Sequence, residues 1–139
     1  MSFDLYLQVF QDGKANGIGL EVLRDAFDKY VVEMDEDYWQ VQYGQEESSD
    51  IFLQPLPGND SSSIHTISIH RPCRDLRLWE SLWRLLGIAG TVLYYPSCPA
   101  PLARDPMAGM SMPNEMRESL GDPLIVSSAM ELFQSIDFA

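Results

Sequence analysis

Ile64-His65-Thr66-Ile67-Ser68-Ile69-His70-Arg71-Pro72-Cys73-Arg74-Asp75-Leu76-Arg77-Leu78-Trp79-Glu80-Ser81-Leu82-Trp83-Arg84-Leu85-Leu86-Gly87 carries two hydrophobic periods back to back. The first part, Ile64 to His70, alternates in twos, with His65, Ile67 and Ile69 on one face. That pattern predicts a strand with one buried side. Pro72 ends it, because proline has no N–H to give to a ladder. From there the period changes: Leu76, Trp79, Leu82, Trp83 and Leu86 recur at helical spacing and predict a helix over 75–86. Asp75 fits the N-cap and Gly87 the stop. A half-buried strand followed by an amphipathic helix is the unit of a sheet with helices on one face.

The same two periods recur on either side. Phe3, Leu5, Leu7 and Val9 share one face of a strand and Asp4, Tyr6 and Gln8 the other. Asp12-Gly13 and Asn16-Gly17 mark turns. Leu20, Leu23, Ala26, Phe27, Tyr30 and Val31 predict an amphipathic helix over 19–31, with Glu21, Arg24, Asp25 and Asp28 outside. Glu33-Met34-Asp35-Glu36-Asp37 reads as an acidic loop. Trp39, Val41 and Tyr43 alternate with Gln40 and Gln42 in a second strand, Glu46 and Glu47 fall in the next turn, and Ile51 and Leu53 anchor a third strand. Pro55, Pro57, Gly58, Asn59, Asp60 and the serines after them form a loop. Thr91 to Tyr95 is a short strand. Residues 96–113 hold five prolines with Met107, Met110 and Met112 and show no period. One or two helical turns over 114–120, a short strand over 124–126 and a terminal helix over 129–136 complete the chain. The order β-α-β-β-β-α-β predicts one α+β domain over 1–139. Its form is a two-layer sandwich with a mainly antiparallel sheet, two amphipathic helices on one face and an irregular Pro/Met-rich tail.

The chain has 139 residues, 45% of them apolar, enough for a core without staples. Its net charge is −12, and the excess is uneven. Residues 1–70 hold thirteen acids against Lys14, Arg24 and Lys29, whereas residues 71–139 hold eight acids against six arginines. Such a surface repels nucleic acid and anionic membrane and attracts basic proteins. Cys73 and Cys98 are too few for a disulfide framework or a zinc quartet and read as reduced thiols. With no leader and no apolar run long enough to span a bilayer, the expectation is a soluble, cytoplasmic protein.

No catalytic signature accompanies the charge. His65 and His70 form a single His-rich cluster, and five positions apart on a strand they face opposite sides, so they cannot grip one phosphate or metal without a bulge. The acidic run 33–37 lacks the spacing of a calcium loop. There is no Gly-x-Ser-x-Gly, no flanking pattern that activates Cys73 or Cys98, and no phosphate-binding glycine loop. No catalytic residue, metal ligand or cofactor is therefore assigned. Arg71, Arg74, Arg77 and Arg84 are the one basic cluster; Arg77 and Arg84 share a helix face with Glu80 between them, which reads as local salt bridging. Trp79 and Trp83, four apart, read as core. Met107, Met110, Met112 and Met116 read as loop packing or adaptable contact area.

Several phrases resemble a group of small, mostly uncharacterised bacterial proteins. They are Ser2-Phe3-Asp4-Leu5-Tyr6-Leu7-Gln8, Asp37-Tyr38-Trp39 with Val41 and Tyr43, and Ser49-Asp50-Ile51-Phe52-Leu53. Ile69-His70-Arg71-Pro72-Cys73, Leu78-Trp79-Glu80 and Leu93-Tyr94-Tyr95-Pro96 add to them. A small, acidic, motif-poor α+β chain also resembles the immunity proteins of polymorphic toxin and contact-dependent inhibition systems. That resemblance implies neutralisation of a cognate toxin by direct protein–protein contact.

The leading expectation is thus a binding protein whose acids meet a basic partner. Glu33, Asp35, Glu36, Asp37, Glu46, Glu47 and Asp50 supply the charged rim, and Tyr38 and Tyr6 the aromatic contacts. One alternative is a small enzyme or ligand-binding domain built on His65 and His70, with Cys73 nearby. Another is an accessory or adaptor subunit of a secretion machine.

Overall fold

A computed structural model describes residues 3–58 and 62–136 of the chain. The alternation of the first strand places it at the centre of the sheet. In β1 (Asp4–Gln11), Leu5, Leu7 and Val9 are buried while Asp4, Tyr6 and Gln8 are half-buried on the other side. β1 pairs antiparallel with both β7 (Ser63–His70) and β8 (Thr91–Tyr94). β6 (Ser48–Pro55), β5 (Tyr38–Gln42) and β4 (Val31–Met34) continue outward as an antiparallel meander, so the spatial order runs β8-β1-β7-β6-β5-β4. Two short strands, β2 (Lys14–Ala15) and β3 (Ile18–Gly19), pair with β1 and β7. The α+β class and the mainly antiparallel sheet are as the periods predict.

One sheet face carries the core. Leu5, Leu7, Ile51, Ile67, Ile69, Trp39 and Val41 stand against α1 (Leu20–Phe27) and α2 (Leu76–Leu86). A third helix, α5 (Ala129–Gln134), packs on α2, with Phe133 edge-on to Trp79. Each such fully buried side chain contributes about 1.5–3 kcal/mol over its exposed state. The predicted N-cap of α2 is present: the Asp75 carboxylate accepts from the Arg77 N–H at 3.0 Å. Arg77 folds back onto the same carboxylate at 2.7 Å and donates to the Tyr43 carbonyl, while Arg84 donates to the Asp25 carbonyl. The arginines of this helix therefore hold its start and its neighbour; the expected pairing through Glu80 gives way to Asp75 and to carbonyls far along the chain.

Four expectations need correction. The first helix stops at Phe27, not Val31, because Asp28 sits at φ 51°, in the left-handed region. A 3₁₀ turn over Asp28–Tyr30 follows, and the β-branched pair Val31-Val32 opens β4, so Glu33 and Met34 belong to a strand rather than to an acidic loop. The Pro/Met-rich stretch over 96–113 is not irregular throughout, while the short strand expected over 124–126 and the terminal helix over 129–136 are present. β9 (Leu102–Ala103) pairs with β8, and β10 (Leu124–Ile125) pairs parallel with β9, so the tail extends the sheet by two strands. Between them, α3 (Ala108–Ser111) and α4 (Asn114–Leu120) return over one end of the face opposite α1 and α2. There Ala108 and Met112 bury Phe10, Val92 and Ala103. The expected face of His65 is wrong too. The β6–β7 register advances one residue on β6, from Gln54 to Pro55, against two on β7, from Thr66 to Ile64. His65 is the extra residue of this bulge. Its ring leaves the Ile67 and Ile69 side and packs edge-on against Phe10, 5.4 Å away. Asn59, Asp60 and Ser61 of the expected loop lie outside the described residues.

Candidate interaction face

Register partners on adjacent strands stand side by side on one face of a sheet. Away from the core helices, the register lines up two such rows. Tyr38 is opposite Phe52, Phe52 opposite Ser68, Ser68 opposite Tyr6, and Tyr6 opposite Tyr94. Four aromatic rings and one serine thus cross five strands in a straight line of about 19 Å, at the usual strand spacing. Tyr38 and Phe52 have ring centroids 5.1 Å apart, and Tyr6 stacks on Tyr94 at 5.5 Å. Ser68 interrupts the line. Its short side chain fills less of the space between Phe52 and Tyr6, whose backbones stand two strand spacings, about 10 Å, apart.

The second row lies beside the first. Glu33 is opposite Gln40, Gln40 opposite Asp50, Asp50 opposite His70, and His70 opposite Asp4. The His70 ring bridges the rows, 4.6 Å from Phe52 by centroids and 3.7 Å from the Asp4 carboxylate. No core helix covers this part of the face: Tyr6, Tyr38, Ser68 and His70 are half-buried and Phe52 is 40% exposed.

Asp50 organises the corner. Its Oδ1 accepts the Tyr38 hydroxyl at 2.7 Å and its Oδ2 accepts from Arg71 at 2.6 Å. Burial pushes the Asp50 carboxyl up, but the Tyr38 and Arg71 hydrogen bonds outweigh it and hold the group below the ordinary carboxylate range. The same bond to Asp50, with burial and the nearby Glu33, pushes Tyr38 up to about 12. Tyr38 therefore stays a neutral donor across the physiological range. Arg71 can lie over the corner because it takes φ 51° at the strand end, where its own carbonyl accepts from the buried Ser49 hydroxyl.

The expected rim residues divide by position. Glu33, Tyr38, Asp50 and Tyr6 all stand on the open face. Asp35, Glu36 and Asp37 form the β4–β5 turn, and Glu46 and Glu47 the β5–β6 turn, at opposite ends of β5. All seven acids thus belong to the β4–β5–β6 meander at one free edge of the sheet. Asp4, Phe52, Ser68, His70 and Tyr94 join the face without having been picked out for it. Their outward positions are legible in the alternation of their strands; their meeting in two rows is not.

The histidines do not form a pair. Nδ1 of His65 faces the Asn16 carbonyl at 3.1 Å. The bulge puts both imidazoles on one face, yet they stay five residues apart along β7, about 16 Å at strand rise. Burial pushes the Cys73 thiol up, away from the reactive thiolate form. Both cysteines are free. Among the described residues no group of three His, Cys, Asp or Glu side chains converges to hold a metal, and no helix is long and apolar enough to cross a membrane. The chain matches no family model, no curated protein and no solved structure.

Proposed function

We propose that this chain is a binding protein that takes a cationic protein partner on the open face of its sheet. Its specific form would be an immunity-type inhibitor that neutralises a basic toxin by contact. The observation that carries this reading is the pair of adjacent rows, one aromatic and one rich in carboxylate. Aromatic faces attract Arg and Lys head groups, each worth about 0.5–1 kcal/mol at exposed sites and more once desolvated. The space over Ser68 fits one such side chain between Phe52 and Tyr6, with Asp4 beside it to meet the charge. The acids of the two flanking turns steer a basic surface toward this face and set its register. Free thiols at Cys73 and Cys98 fit a reducing compartment such as the cytoplasm.

The test is capture of a basic partner by the immobilised chain at low salt, compared with a Phe52→Ser, Tyr6→Ser double variant. The wild-type chain is expected to retain a basic protein with an association rate that falls as salt rises. The variant, folded by circular dichroism, is expected to lose most of the affinity. Equal retention by both chains, or no basic protein retained at all, removes the proposal.

A further inference from the structure

A second feature lies away from the sheet face, where the end of α2 meets α1 and the chain leaving β9. A cavity of ≈ 580 Å³ opens there, with Arg84 and Arg104 in its wall. Its floor is apolar: Val22 and Ala26 from α1, then Leu85 and Ile88. In a chain of net charge −12, two guanidiniums facing one cavity call for an explanation. Neither has a carboxylate within 4.0 Å among the described residues. Arg84 gives one hydrogen bond, to the Asp25 carbonyl at 3.1 Å, and Arg104 one long contact, to the Trp83 carbonyl at 3.5 Å. A guanidinium has five N–H donors, so among the described residues most of this donor capacity meets no protein group.

Arg104 is held in place. Its guanidinium stacks on the Trp83 ring at 3.6 Å from the centroid and lies over Gly87, where a Cβ would come within 2.9 Å of Nη1. Stacking and a glycine seat fix the planar fork without using its donors. Among the described residues Asp105 is the one acid in the wall, and both of its oxygens are occupied by the backbone N–H groups of Gly90 and Met107. Two cations and one anion leave a wall of net charge +1.

We propose that the Arg84–Arg104 cavity binds a small monoanionic carboxylate carried on an apolar body. The two forks match a carboxylate in hydrogen-bond geometry, the wall charge matches one negative charge, and the apolar floor matches the rest. A dianion such as phosphate fits less well, since it would meet Asp105 and the acidic field of the whole chain. The site is separate from the sheet face, so its fate does not depend on the partner proposed above.

Benzoate is the probe, followed through the amide NMR signals of Gly87, Ile88 and Ala89 in the full chain. Benzyl alcohol tests the apolar body without charge, and inorganic phosphate the charge without the body. Benzoate is expected to give saturable shifts at these amides, benzyl alcohol none, and phosphate weaker binding than benzoate. Arg84→Gln and Arg104→Gln should each weaken benzoate by about tenfold or more, the loss expected for one charged hydrogen bond. Lys14→Gln, on another part of the surface, should leave it unchanged. A free acid and a peptide chain end present the same carboxylate. An acetylated dipeptide ending in leucine is therefore the second arm, and whichever saturates at lower concentration identifies the source. The proposal is overturned if benzoate gives no saturable shift, if benzyl alcohol matches it, if phosphate binds more tightly, or if Lys14→Gln weakens binding as much as the arginine variants. Absence of benzoate binding together with a lower melting temperature of the arginine variants would assign Arg84 to the last carbonyls of α1 and Arg104 to those of α2, and would overturn the proposal.

Discussion

The hydroxyl of Tyr38 donates to Oδ1 of Asp50 at 2.7 Å, tying the second-to-last strand of the sheet edge to the strand inside it. Arg71 holds the other carboxylate oxygen. The carboxyl is consequently depressed in the folded state, and the sign of its linkage follows. Its contribution to stability is fully present above the unfolded value of about 3.9 and is lost as pH falls through the depressed folded value. In a carboxyl-carbon NMR titration Asp50 should titrate below ordinary aspartate, and Tyr38→Phe should move it up. A wild-type midpoint at or above the ordinary value would contradict the bond.

The two faces of the sheet should respond oppositely to truncation. Leu7 is fully buried at the centre of the core face, so Leu7→Ala should cost about 2–5 kcal/mol in urea unfolding. Phe52 is 40% exposed on the open face, and Phe52→Ala should cost about 1 kcal/mol or less. A loss at Phe52 as large as that at Leu7 would mean that the open face is structural rather than available to a partner.

Gly90 is required by two constraints at once. It takes φ +81°, and a Cβ there would lie 2.0 Å from the Phe10 carbonyl oxygen, while Phe10 N–H donates to the Gly90 carbonyl. Gly90→Ala should lower stability by about 3 kcal/mol, from strain plus displacement of β1. Gly121 also has a positive φ, +91°, with ψ 176°, but has open space around it. Gly121→Ala should cost less, about 1–2 kcal/mol of backbone strain alone. Thermal melts of the two variants check the difference, and equal costs would remove the close approach at Gly90 as its cause.

Long periodic segments were legible from the chain alone. The alternation of Leu5, Leu7 and Val9 and the helical spacing of Trp79, Leu82 and Leu86 each name a buried face, and those residues are buried. The acidic meander was legible as composition, and Tyr6, Tyr38 and Asp50 as outward positions. Short elements were less so. β9 has two residues, too few to show any period, and pairs with the edge that β8 offers; β10 falls inside the strand expected over 124–126, but its parallel pairing with β9 was not legible. Arg104 sits in a segment without a pattern, and nothing nearby in the chain foretells that it lines the same cavity as Arg84.

Element type, apolar face and net charge are properties of neighbouring residues, and the sequence alone determined them here, since burying one side of a strand or helix needs only a repeat of two or of about 3.6. Register is a property of segments far apart in the chain. Pairing in the order β5-β6-β7-β1-β8 brought Tyr38, Phe52, Ser68, Tyr6 and Tyr94 into one row, and a single bulged residue turned His65 over. Only the tertiary structure decided these, because a one-residue shift in any ladder exchanges the two faces of a strand.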